Sequence, residues 1–254
     1  MKHFVLVLVC LLIAVSCQKF QEDNQEVLVQ NLENSYKDWW LYFNDFIRLS
    51  SDFKAFDAES KRINKGIFLK SLATGKFIPL KLSSDTSETA YKLHQLGKDA
   101  DENIVSTIKN MAEVELTNFQ REGKKMQPFN FKDLNGKQYT SENTLGKTVV
   151  LKCWFIRCKK CIEEMPELNK MVKQFENRND VVFISLAFDS ETDLKKFLSK
   201  RDFDYAVVAN QEDYLKNTLG ISIFPTHFII NKKGVITKVA NEMEIVREVL
   251  EKEI

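Results

Sequence analysis

Two cysteines separated by two residues, Cys158 and Cys161, are the side chains with the plainest chemical meaning in this chain. A thiol pair at this spacing brings its sulfurs within bonding distance and stores two electrons when it closes as a disulfide. An apolar run beginning at Thr148 leads into the pair, and Ile162, Met165, Leu168, Met171 and Val172 follow at helical intervals. The pair is therefore expected at a helix N-terminus. There, free backbone N–H groups and the helix dipole favour thiolate over thiol, and Lys159 and Lys160 push the same way. Cys158, the more N-terminal and more exposed, is expected to attack a disulfide; Cys161, a helical turn deeper, is expected to resolve the mixed disulfide. A lone Cys-x-x-Cys is also half of a zinc site. No second cysteine pair exists, however, and the histidines are only His3, His94 and His227, so a four-ligand zinc site lacks its ligands.

The elements that must position this pair follow from the pattern beyond Pro128, where short strand-like runs alternate with helix-length segments. Strands are expected at Phe129–Lys132, Lys137–Thr140, Thr148–Ile156, Val181–Phe188, Tyr205–Ala209, Thr226–Asn231 and Val235–Ala240, with helices at 159–178, 191–201, 211–219 and 243–254. The Asn231-Lys232-Lys233-Gly234 turn makes the last two strands a hairpin, while helices separate the earlier ones, so the sheet should be mixed.

The run Trp154-x-x-x-Cys158-x-x-Cys161-x-x-Glu164-x-Pro166-x-Leu168, with Phe224-Pro225-Thr226 and Asn231-Lys-Lys-Gly234 downstream, resembles the thioredoxin-like thiol-disulfide oxidoreductases of the TlpA/ResA type. The resemblance covers about residues 127–254 and implies an α/β thioredoxin fold, a mixed central sheet flanked by helices. It implies a cis-proline at Pro225 facing the active-site disulfide, with Trp154, Phe224 and Thr226 on the substrate side. It also implies that Glu164, three residues after Cys161, is a partly buried acid that tunes the deeper thiol and shuttles its proton. Pro166 should kink the helix near Ile162 by removing a backbone donor. Dithiol-disulfide exchange needs no organic cofactor and no metal, because the two thiols hold the electron pair.

This sequence departs from the pattern at two positions. Arg157 stands where thioredoxins often carry Trp, and Lys152 stands where they place a buried acid. A buried lysine is costly unless paired, so Lys152 is expected to reach Glu164 or another acid and to alter the proton balance of Cys161. Cys153, one residue along the same strand, should face the opposite side and belong to the core.

Residues 27–126 carry no chemistry that their side chains declare, and the segment before them reads as an address. Lys2 and His3, the 12-residue apolar stretch Phe4 to Val15 and then Ser16-Cys17 read as an export signal, too short to span a bilayer as a helix. Ala14-Val15-Ser16-Cys17 resembles a bacterial lipobox, with Ala14 where Leu is usual. The expectation is a signal peptide over 1–16, acylation of Cys17 with a tether to 26, a mainly helical unit over 27–126 and the thioredoxin-like domain over 127–254. This places the protein in the cell envelope, outside the cytoplasm in the periplasm, held to the membrane by lipid. Of five cysteines, Cys10 leaves with the signal and Cys17 carries lipid, so Cys153, Cys158 and Cys161 remain: a redox pair and one spare thiol. Within 27–126, a helix is expected from Val27 to Phe46, a short hairpin from Ile67-Phe68-Leu69 and Phe77–Leu82 with Pro79 confining its strand to an edge, and a long amphipathic helix from Ser87 to Arg121.

A net charge of +1 with acids and bases intermixed supplies no basic stripe, so nucleic acid is not an expected partner. The expected partners are protein thiols and disulfides and, for a reductase outside the cytoplasm, a membrane electron donor. Three rivals share the fold. A disulfide oxidase or isomerase would differ only in the direction of electron flow. A copper-binding protein would use both thiols with His227, although Sco-like proteins space their cysteines by three residues. A peroxidase would be expected to carry Thr where Phe155 stands.

Overall fold

The computed structural model describes residues 32–82 and 88–253, so the expected signal, Cys10, Cys17 and the tether lie outside the described residues. The chain divides into two compact units, Met1–Glu113 and Val114–Ile254.

In the first unit α1, Tyr36–Phe46, starts where the Ser35 hydroxyl accepts the Asp38 N–H, and it buries Trp39 and Phe43. Four short strands follow: β1, Lys54–Phe56; β2, Arg62–Ile63; β3, Phe77–Lys81; and β4, Ala90–Gln95, in the order β2-β1-β4-β3. Pro79 sits on β3 at the sheet edge, where a missing N–H does least harm. Two expectations fail here. Ile67-Phe68-Leu69 is not a strand but the middle of α2, Lys65–Leu72, which Asn64 caps and which buries Phe68, Leu69 and Leu72. A short apolar run is equally compatible with either state, and the cap decides. The long helix does not begin at Ser87, because Tyr91 and Leu93 are buried on one face of β4 with period two. The helix proper, α3, is Glu102–Arg121; Asp101 accepts the Asn103 N–H at its start, and Ile104, Ile108 and Ala112 are its buried stripe.

The second unit opens with the last turns of α3 and a two-stranded hairpin, β5, Asn130–Lys132, and β6, Gln138–Thr140. A five-stranded sheet follows, built from β7, Thr148–Trp154; β8, Val181–Ala187; β9, Ala206–Val208; β10, Thr226–Ile230; and β11, Ile236–Ala240. Its order is β11-β10-β7-β8-β9: β7, β8 and β9 run parallel, and β10 lies antiparallel to both β7 and β11. The mixed sheet expected from the alternating pattern is therefore present. Between strands lie α4, Lys159–Glu163; α5, Met165–Gln174; α6, Glu191–Leu198; a π-helical turn, Tyr214–Thr218; and the terminal α7, Met243–Glu253. The β10–β11 turn closes on Gly234 at φ +74, with the Asn231 side chain accepting the Lys233 and Val235 N–H groups. Residues 123–126 bond along β11, Gly123 N–H to Ile236 O and Met126 N–H to Gly234 O, and so cover that edge.

β7 is buried along its whole length, and its alternation divides the core. Val149, Leu151 and Cys153 join Ile184, Leu186, Val208 and Phe228 on one face. Val150 and Trp154 point to the other, among Leu168, Met171 and Ile229 or among Met165, Ala187 and Val207. Each large apolar side chain so buried contributes about 1.5–3 kcal/mol. Lys152 shares the second face by parity, and Cys153 takes the first, as the strand period requires.

Candidate active site

β7 ends at Trp154, and the chain turns through Phe155–Arg157 into α4. The turn is held at two points: Cys158 N–H donates to Phe155 O at 3.1 Å, and Ile156 N–H donates to the Asp189 carboxylate at 2.7 Å. Cys158 is the N-cap of α4, and its sulfur accepts the Cys161 N–H at 3.3 Å. The two cysteines form a disulfide with Cα atoms 5.2 Å apart. Cys158 keeps 8% of its surface exposed and Cys161 none, so an incoming sulfur reaches only the first. Arg157, Lys159 and Lys160 are exposed around it, with Lys159 lying 3.5 Å from Glu163.

Beneath the disulfide lies a buried charge cluster. Glu164 sits at the break between α4 and α5, two residues ahead of Pro166, which lacks the N–H that would have bonded back to Ile162. The break turns the carboxylate inward. Its side chain is 10% exposed and forms an ion pair with the fully buried Lys152 ammonium, which also donates to Cys161 O at 3.0 Å. The lysine thus reaches Glu164, as its cost of burial led one to expect. His227 is brought to the same carboxylate by register: it pairs with Lys152 across β10 and β7, and its Nε2 lies 3.1 Å from Glu164 Oε1. Burial pushes the Glu164 pKa up, but His227 and Lys152 outweigh it and hold the carboxyl below the usual range. Burial pulls the Lys152 ammonium below its ordinary value, and Glu164 offsets part of that. Tyr205, buried and close enough to feel Glu164, has its phenol raised well above the ordinary range, first by burial and then by that negative charge. Across the sheet Cys153 is wholly buried and its thiol is pushed strongly upward, which makes it unreactive.

The third component is the segment before β10. Phe224–Pro225 is a cis peptide, and Phe224 packs against the cluster that contains both cysteines. The rings of Phe155, Phe188 and Phe224 meet edge to face or stacked, with centroids 4.9 to 5.5 Å apart, and Ile223 beside them is exposed. Thr226 is buried; its hydroxyl donates to Ile223 O at 2.6 Å, so its side chain braces the turn. Asn241 ties the segment down from behind, donating to Pro225 O at 2.7 Å and to Thr226 Oγ1 at 2.8 Å, while Asn118 donates to Asn241 Oδ1 at 3.1 Å. Arg121 extends this chain from Asn118 to the carbonyls of Leu219 and Gly220. Replacing Asn241 with Ala leaves buried acceptors unmatched, so Asn241→Ala should lower unfolding free energy by about 1–3 kcal/mol in a denaturant titration.

Of the residues singled out in the sequence, Cys158, Cys161, Glu164 and Pro225 lie in one region of the second unit, with Phe224 against the disulfide. Trp154 requires correction as a substrate contact. It is wholly buried, packs on Phe197 and Phe203, and supports the site from below. Asp189, Asn241 and the pairing of His227 with Glu164 were not legible in the sequence; only the position of His227 two residues after Pro225 hinted at the last.

Among solved structures, a pneumococcal exposed lipoprotein thioredoxin from Streptococcus pneumoniae is 24% identical and covers 50% of this chain and 99% of its own, at a TM-score of 0.44. The thioredoxin domain of a thiol-disulfide oxidoreductase from Bacteroides vulgatus is also 24% identical, covering 52% and 96%, at 0.47. Among curated proteins, the thioredoxin-like protein YneN of Bacillus subtilis is 28% identical over 118 residues, 46% of this chain and 69% of that one. The thiol-disulfide oxidoreductase ResA of Bacillus cereus is 29% identical over 121 residues, 47% of this chain and 70% of its own. The family model described as AhpC/TSA matches residues 123–239. Over residues 123–239 the chain matches the AhpC/TSA family, a thioredoxin-like domain, and the enzyme is a thiol-disulfide oxidoreductase.

Proposed function

We propose that this protein reduces protein disulfides outside the cytoplasm, from a lipid anchor on Cys17, by exchange through Cys158 and Cys161. The observation that carries the reading is the unequal exposure of the two sulfurs, 8% against 0%, at the start of a helix. Cys158 attacks the substrate disulfide, and Cys161, which a substrate cannot reach, attacks the mixed disulfide and releases the reduced product. The Cys161 N–H directed at Cys158 Sγ supports a thiolate there, and exposed Arg157, Lys159 and Lys160 add positive potential. Glu164 is the acid that tunes Cys161. Pro225 and Phe224 line the substrate side beside the Phe155 and Phe188 rings, which suits an apolar stretch of an extended partner.

The anchor and the location rest on the Lys2–Cys17 segment, and among the described residues no helix is long and apolar enough to cross a membrane. A reductase in that compartment must be recharged by a membrane-borne thiol donor. The deciding measurement is the equilibrium potential of the Cys158–Cys161 pair against glutathione or dithiothreitol, with each cysteine replaced by serine as control. A value near thioredoxin's, about −270 mV, is expected; one near −120 mV identifies an oxidant or isomerase instead.

A further inference from the structure

His227 is a wholly buried residue in an otherwise apolar stretch, Phe228-Ile229-Ile230, yet it gains little structural return. Neither Nδ1 nor Nε2 has a hydrogen-bond partner among the described residues; Nε2 approaches Glu164 Oε1 at 3.1 Å without the alignment of a hydrogen bond. A buried polar group left unsatisfied asks for a role other than packing. Its neighbours supply one. Lys152 holds Glu164 in an ion pair and at the same time donates to the carbonyl of Cys161, so the cluster is tied to the backbone of the resolving cysteine. A carboxylate clamped by an ammonium is a poor place to store a proton, and the imidazole 3.1 Å from it is a second basic group at the same spot.

We infer that His227 is a positioning residue for the thiol-disulfide exchange, receiving through Glu164 the proton that Cys161 gives up when it attacks. This rests on the reading of Cys158 and Cys161 as attacking and resolving sulfurs. In the resolving step the Cys161 S–H bond breaks and an N–H bond forms at His227. The Cys161 sulfur bonds to Cys158 Sγ, the bond from Cys158 to the substrate sulfur breaks, and the electron pair leaves on that sulfur. When a thiol donor reopens the disulfide, the imidazolium returns its proton to Cys161. The reduced and oxidised proteins therefore differ in how tightly His227 holds a proton. The other groups that face the cluster do not replace it. Glu164, between α4 and α5, is held in the ion pair with Lys152 on β7. The Tyr205 phenol, ahead of β9, keeps its proton, Ser185 on β8 is uncharged, and Lys238 on β11 lies 3.3 Å from Glu122.

The test uses the full chain and two readouts. The first is the potential of the Cys158–Cys161 pair between pH 5 and 9, for the parent and for His227→Gln. Each proton taken up with the electron pair changes the equilibrium constant tenfold per pH unit, about 30 mV. The parent should show a change of slope worth one proton within that pH interval, and His227→Gln should lose it. The second needs no variant: with three histidines in the chain, the His227 imidazole nitrogens can be followed by NMR titration in each redox state. Midpoints that differ between oxidised and reduced protein support the proposal. Identical midpoints, or a His227→Gln profile that overlays the parent, overturn it while leaving the exchange chemistry standing. A parent that shows no reversible exchange at all overturns both.

Discussion

Cys161→Ser should arrest the protein as a stable mixed disulfide through Cys158, with turnover of a disulfide substrate lowered on the order of a thousandfold or more. The expectation follows from the geometry of the pair. Cys158 alone is exposed, so it alone can be captured; the sulfur that would release the captured partner is wholly buried one turn on. Removing the second sulfur leaves attack intact and abolishes resolution. Cys158→Ser should lose turnover to a similar extent with no adduct, since the remaining thiol is out of reach. Non-reducing electrophoresis or intact mass of each variant after incubation with a disulfide-bearing protein separates the two cases. An adduct in Cys158→Ser and none in Cys161→Ser would reverse the assignment of the two sulfurs.

Glu164→Gln should cost about 3–5 kcal/mol of unfolding free energy at neutral pH, because it removes the one carboxylate paired with a buried ammonium and leaves that charge with neutral neighbours, the Cys161 carbonyl and the Phe203 ring among them. The pH dependence has a definite sign. Lys152 in the folded protein already has a depressed value, and without Glu164 the value falls further. Between that value and the unfolded one the unfolded chain binds more protons, so stability of the variant rises with pH and the deficit shrinks in alkali. The parent shows the complementary effect in acid. The Glu164 carboxyl is held below its unfolded range, so its contribution is present above that range and lost as pH falls through the depressed folded value. Pairing Glu164→Gln with Lys152→Met removes the stranded charge and should recover most of the loss, which denaturant titrations from pH 5 to 9 would reveal. Stability of the single variant unchanged at pH 7 would mean that Lys152 finds another partner.

The cysteine spacing, the apolar run Thr148–Ile156 and the helical pattern after Cys161 were enough to set the redox pair where a strand runs into a helix, because local periodicity and a two-residue gap need no distant partner. Parity along β7 likewise put Lys152 and Cys153 on opposite faces, and the cost of burying an ammonium alone required an acid for Lys152. In the first unit the same periodicity misled, since Ile67-Phe68-Leu69 and the residues around Leu93 are too short for spacing to distinguish helix from strand, and the Asn64 cap and the pairing of β4 decided. Trp154 was placed at the substrate side by resemblance, yet the sheet turns it into the core. What only the tertiary structure decided is which distant residues meet. The register of β10 on β7 sets His227 beside Lys152, and Asn241 reaches back to Pro225 across the end of the sheet. A one-residue slip in that register would carry His227 to the opposite face, and the hydrogen bonds and packing that fix it join residues far apart in the chain.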